Sequence, residues 1–305
     1  PGGRHTLTWY ADAFQKIYEM SETNNFYGEQ YVWSPLALSP GGVQTRYAPP
    51  ERDGGFKLVN SGEPLWYNCD GLRMDGLTSY WAGLAVMPGD TSNVDVRLHE
   101  PQPGAKNGFR SNLAYSGWGV GLSDFVIANF NVASRHAYDA GILNVSGEQP
   151  YSAHCAKETY ISKVEGEHGP YPLGPGLILA LYEMRLTPGP WAFQLVDQNH
   201  QVDLGFSLHP ADQGFIRKSL TVENGAGWLN PLGYDEGFGV EIPATGYYCL
   251  AVWKVCREGL SKTSEYSFIV RQGVTGADDP APAPRVTALP VEDVRVLVHR
   301  EAGRD

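Results

Sequence analysis

The 305-residue chain holds only four cysteines, four methionines and 57 charged side chains, 23 Lys plus Arg against 34 Asp plus Glu. It contains no CxxC pair and no His/Cys cluster, so the spacing of a structural zinc site is missing. No apolar run approaches the ~18 residues of a membrane-spanning helix. No long stretch keeps a helical period without interruption by Gly or Pro. A net charge of −11 and a pI near 5.2 exclude nucleic acid and anionic membrane surfaces as partners, because both need clustered Lys and Arg.

What is abundant is Gly (36), Pro (22), Tyr (17) and Trp (8). That bias favours short strands joined by turns and predicts an all-β protein of tandem sandwiches. Residues 1–30 carry two strand-like runs, 5–11 and 15–20. Residues 31–57 are rich in Pro and Gly and read as a connector. Two β-sandwiches are expected over 58–163 and 164–272, followed by a Pro-rich linker and a last strand within 273–305.

The two central segments resemble one another. Trp81 opens the apolar run Trp81-Ala82-Gly83-Leu84-Ala85-Val86, and Trp191 opens Trp191-Ala192-Phe193-Gln194-Leu195-Val196. Val94-Asp95-Val96 and Val202-Asp203-Leu204 follow, then Gly108-Phe109 and Gly214-Phe215, at offsets of 110, 108 and 106 residues. Late apolar strands are expected at 124–129 and 247–255. Short strands at this spacing form sandwiches of jelly-roll type.

Three resemblances rest on these residues. The opening Gly3-x-His5-Thr6-Leu7-x-x-Tyr10-Ala11-Asp12, with Ile17-x-Glu19-x-Ser21-Glu22-Thr23-Asn24-Asn25, is similar to the last two strands of the bacterial cell-adhesion-related, immunoglobulin-like domain. The repeats resemble bacterial pre-peptidase C-terminal domains, jelly-roll modules appended to secreted proteins. The tail from Val286-Thr287-Ala288-Leu289 to Val298 is similar to the first strand of a fibronectin type III module. All three imply a non-catalytic, extracellular protein.

No cluster makes a strong case for catalysis. Gly117-Trp118-Gly119-Val120-Gly121 leads into a strand, so no helix N-terminus awaits a phosphate. His99-Glu100 lacks the second His of a zinc protease motif. Ser123-Asp124 has no nucleophile-elbow setting, and nothing in the sequence fixes the geometry that a triad of His136 or His154 with Asp139 would need. No cofactor is expected. Asp95 and Asp203 are the candidate Ca²⁺ ligands, with strand-start aspartates bonding nearby backbone as the simpler alternative. Cys69 and Cys155 lie near the ends of one sandwich, where a disulfide and buried free thiols are both compatible with the sequence. Cys249 and Cys256, about 23 Å apart along one extended strand, cannot bond to each other. Phe26, Tyr27, Tyr31, Trp33, Tyr47, Trp66, Tyr67, Tyr80 and Trp118 offer stacking faces for a sugar or packing surfaces for a core.

The ends carry the remaining signal. Val294, Val296 and Val298 alternate with Arg295, Leu297 and His299 behind an extended Pro-Ala linker. Thr6, Thr8, Tyr10, Ile17 and Tyr18 mark the opening strand pair. These residues are the expected joints of a structural subunit assembled head to tail with copies of itself into an extracellular filament or adhesive fibre. The alternative is an accessory binding or anchoring module of a large secreted protein such as a peptidase, with carbohydrate or a cell surface as its contact. A carbohydrate-active enzyme stands third and would need two carboxylates facing an aromatic-lined cleft.

Overall fold

The computed structural model describes residues 3–10, 26–34, 36–48, 69–74, 81–99, 112–129, 137–199, 201–210 and 236–273, with backbone alone for 3–10, 26–34, 69, 112 and 236. Described secondary structure is almost wholly strand, as the composition predicts. The strands are β1 (Gly3–Tyr10), β2 (Phe26–Ser34), β3 (Leu36–Leu38), β4 (Val43–Arg46), β5 (Cys69–Met74), β6 (Trp81–Met87), β7 (Asn93–His99), β8 (Asn112–Ser116) and β9 (Asp124–Asn129). They continue as β10 (Tyr138–Ser146), β11 (Tyr151–Ile161), β12 (Gly166–Leu173), β13 (Leu179–Leu186), β14 (Gly189–Asp197), β15 (Leu204–Pro210), β16 (Glu236–Ile242), β17 (Gly246–Lys254) and β18 (Ser264–Gln272).

The repeat seen in the sequence is a repeat of topology, except that the late strand at 124–129 takes the place of the strand at 236–242 and not of the one at 247–255. In the first sandwich β4-β11-β6-β9 faces β5-β10-β7-β8, with β3 added beside β5. In the second, β12-β18-β14-β16 faces β13-β17-β15. Taking β4 and β12 as the first strand of each unit, and setting aside β8, which has no counterpart among the described residues of the second sandwich, both run 1-7-3-5 over 2-6-4, and every one of these neighbouring pairs is antiparallel.

Two findings differ from the sequence reading. Residues 36–46, expected as connector, supply β3 and β4, each paired into the first sandwich. Sequence pattern hides β4 because it is an edge strand whose first three residues are exposed; Arg46, at its end, anchors it through a bidentate ion pair with the buried Asp70 on β5. The Tyr151 hydroxyl on β11 donates to the same carboxylate at 2.7 Å, so the cluster ties both sheets together. The strand pairing at the amino end is also different: β1 pairs with β2, at 26–34, and the run 15–20 lies outside the described residues.

Each sandwich has its own core. Leu72, Leu84, Val96, Val126, Ile142 and Tyr151 fill the first; Tyr182, Phe193, Phe206, Leu250, Tyr266 and Phe268 fill the second. A third core lies between them, formed by Trp81, Ala85, Met87, Ile127, Leu179, Leu181, Ala251 and Trp253. It exists because β11 is long enough to serve both sandwiches. Its first half pairs antiparallel with β4 and β6, and its last four residues pair parallel with β13. The result is one seven-stranded sheet, completed on the far side by an isolated bridge between Leu122 and Cys256. Ser123 reinforces that bridge by donating its N–H to Val255 O and its hydroxyl to Lys254 O.

This joint explains the run Trp81–Met87, every residue of which is buried. Leu84 and Val86 face the first core, while Trp81, Ala85 and Met87 face the third. Gly83 permits the close approach, since a Cβ there would sit 2.6 Å from the Leu179 side chain. Trp81 and Trp191 match in the sequence repeat yet face differently, Trp81 into the joint and Trp191 into the second core. A slip of one residue exchanges the faces of a strand.

Candidate functional site

The outward face of the second sandwich's inner sheet is covered by the first sandwich along part of its length and emerges at one end. A row of side chains crosses that face in register: His209 on β15, Cys249 on β17, Glu183 on β13 and Tyr160 on β11. Alternation places them on one side, because Leu208, Leu250, Tyr182 and Ile161 face the second core. Burial falls along the row: His209 and Cys249 are sealed, Glu183 is 5% exposed and Tyr160 is 56% exposed. One step further along the strands Arg185 stands opposite Tyr247, which is 41% exposed.

Glu158 completes the ledge from β11, its Oε2 accepting the Trp81 backbone N–H at 3.2 Å. Burial raises the Glu183 carboxyl above the usual carboxylate range; Trp81 beside it partly offsets this and the negative charge of Glu158 adds to it. Two acidic groups, a guanidinium and two exposed phenol rings therefore line one face of the sheet beside the joint. Such openings of closed sheets are common ligand positions.

The buried end of the row is chemically quiet. Desolvation pushes His209 down to about 3 and the Cys249 thiol well up. A neutral imidazole beside a protonated thiol is the reverse of the thiolate arrangement that a nucleophilic cysteine requires. His209 instead shares a 2.8 Å hydrogen bond with Ser207.

A second polar group lies on the outer face of the first sandwich. Asp139, fully buried, takes a bidentate contact from Arg73 at 2.5 and 3.0 Å and stands in register with His99. Arg97 lies over the Tyr115 ring, whose hydroxyl donates to Asp95 at 2.7 Å.

The residues singled out in the sequence fall in separate places. Asp95 is a buried strand residue engaged by Tyr115. Asp203 precedes β15, and burial, with Asp197 nearby, raises its carboxyl to about 6. Asp95 lies inside β7 whereas Asp203 lies just ahead of β15, so the two aspartates hold different positions on their strands. Among the described residues no group of three or more His, Cys, Asp or Glu side chains is placed to hold a metal ion. Cys155 is a free thiol in the first core, which leaves it unpaired with Cys69; only the backbone of Cys69 is described, on β5 against Leu143. Cys249 and Cys256 are also free. Thr6, Thr8 and Tyr10 pair with Gln30, Gly28 and Phe26 within their own hairpin. Ile17, Tyr18, Val294, Val296 and Val298 lie outside the described residues. Of the aromatic candidates, Tyr47 is exposed and Trp118 half-buried. The ledge tyrosines were not among them, although each stands beside a core residue in an alternating strand.

No family model matches the chain, and no curated protein matches it. Among solved structures it is similar to the pre-peptidase C-terminal domain of collagenase from Bacillus anthracis, at 14% identity over 38% of this chain and 95% of that one, with a TM-score of 0.28. It is also similar to CorA, a surface-associated copper-binding protein of Methylomicrobium album BG8, at 11% identity over 38% and 98% of the two chains, with a TM-score of 0.25. An anti-sigma factor domain-containing protein from Clostridium clariflavum aligns over 89% of this chain and 94% of its own at 7% identity and a TM-score of 0.18.

Proposed function

We propose that the chain is a non-enzymatic binding module of an extracellular protein and that it contacts a surface-borne or insoluble polymer through the Tyr160–Tyr247 ledge. The carrying observation is the emergence of two half-exposed tyrosines, Arg185 and Glu158 beside the buried core between sandwiches that share one sheet. Residues paired within one sheet present such a ledge in a set orientation, which lowers the ordering cost of binding. The extracellular setting follows the resemblance of the repeats to pre-peptidase C-terminal modules. Two carboxylates do meet here, as an enzymatic reading would require, but Glu183 is too enclosed to approach a glycosidic oxygen. The filament reading rests on terminal residues, of which the described ones are engaged within the β1–β2 hairpin.

The test is co-sedimentation of the whole chain with a panel of insoluble polymers, both polysaccharide and protein. Retention on at least one polymer, lost on changing Tyr160→Ala and Tyr247→Ala together, is expected. Retention unaffected by that double change would place the contact elsewhere and refute the proposal.

A further inference from the structure

We infer that the ledge accepts a neutral pyranose chain; the inference rests on the binding-module reading and names its ligand class. The first argument is area. A Tyr side chain buries 150–250 Å² when fully covered, so two rings at 56% and 41% exposure offer on the order of 200 Å² of apolar contact. A protein partner of standard size covers about 800 Å² on each side around an apolar centre. Here the residues between and beside the rings are Glu183, Arg185 and Glu158, a composition that breaks up any apolar centre. Sugars need the opposite mixture, isolated ring faces for their C–H surfaces and charged groups to bond their hydroxyls.

The second argument is spacing. Tyr160 and Tyr247 lie on β11 and β17 with β13 between them, and Tyr160 is opposite Glu183 while Tyr247 is opposite Arg185. Two inter-strand steps of about 4.8 Å and one two-residue step of about 6.8 Å separate their backbones by roughly 12 Å, the reach of roughly two to three pyranose units. A chain lying diagonally across β13 would stack on both rings, with Arg185 donating to hydroxyl oxygens beside Tyr247 and Glu158 accepting from hydroxyls on the far side of Tyr160. An extended chain with equatorial linkages would span both rings.

Isothermal titration of the full chain with cello- and chito-oligosaccharides, from disaccharide to hexasaccharide, tests the class. Affinity should rise about tenfold between disaccharide and tetrasaccharide, as the second ring is engaged, and then level off. Tyr160→Ala and Tyr247→Ala should each return the hexasaccharide to the disaccharide level, while Tyr160→Phe and Tyr247→Phe retain the length dependence. Both tyrosines are exposed, so unchanged thermal unfolding should accompany every variant. Affinity that does not vary with length, or tyrosine variants that bind like the wild type, would overturn the inference. If no oligosaccharide binds while gelatin retains the chain through the same tyrosines, the glycan assignment is wrong and the module reading stands. If neither polymer class retains the chain, both fail.

Discussion

Replacing His154 with asparagine isolates the acid sensitivity of the joint between the sandwiches. The imidazole is buried on β11, and its Nδ1 accepts the N–H groups of both Ile178 and Leu179 at 3.2 Å. These donors lie at the start of β13, ahead of the Glu158–Leu181 position where parallel pairing with β11 begins. Burial, and then the positive charge of Lys254, lower His154 from 6.5 to about 4. Lys254 is itself buried, its ammonium donating to Gly174 O and Lys262 O, and its own value of about 8 keeps it charged throughout the acid range. With the folded value below the unfolded one, the unfolded chain binds the extra proton as pH falls below about 6.5, so stability declines until about pH 4. The loss between about pH 7.5 and pH 4.5 is about 2.5 kcal/mol from this residue alone. An asparagine carbonyl can accept the same two N–H groups and does not titrate. Urea unfolding of His154→Asn and wild type at the two pH values should therefore show the stability difference shifting by about 2.5 kcal/mol in favour of the variant on acidification. His209 and the buried carboxyls contribute equally to both proteins and cancel. Parallel pH profiles, within about 0.5 kcal/mol, would refute the reasoning.

Two substitutions test the packing that holds the ledge in place. Asp70→Ala leaves the Arg46 guanidinium and the buried Tyr151 hydroxyl without their shared acceptor and should cost about 3–5 kcal/mol in urea unfolding; a loss below about 1 kcal/mol would mean that solvent already satisfies them. Gly205→Ala would bring a methyl group to 2.6 Å from the Trp253 ring in the third core. It should destabilise the chain by about 1–3 kcal/mol and shift tryptophan fluorescence, and a neutral effect would show that this ring has room to move.

The fold class was legible because its signals are local. Turn-rich composition, the alternating run 94–99 and the apolar run 124–129 point to sandwiches, and the strands form where those patterns lie. The joint was legible only in part. Trp81–Met87 contains no polar residue, whereas a strand with one solvated face alternates, so its composition already implied cover on both sides. What covers the second face depends on β11 changing partners midway, a long-range choice that no local pattern records. The ledge is hidden for the same reason. In Lys157-Glu158-Thr159-Tyr160 nothing distinguishes a buried face from an exposed one until parallel pairing with β13 fixes the register. Strand β4 escaped notice because its first three residues are exposed, while its pairing partner β11 and the Asp70 that anchors Arg46 both lie far along the chain.

The central claim is that Tyr160 and Tyr247 form the contact surface, and chemical footprinting tests it without altering the protein. The chain would be treated with tetranitromethane, free and bound to whichever polymer retains it, and the nitrated tyrosines located by mass spectrometry. Tyr47, 44% exposed in the first sandwich, serves as the internal control. The account predicts that Tyr160 and Tyr247 are modified in the free chain and protected in the bound one, while Tyr47 reacts equally in both. Protection of Tyr47 with Tyr160 and Tyr247 still reactive would contradict it.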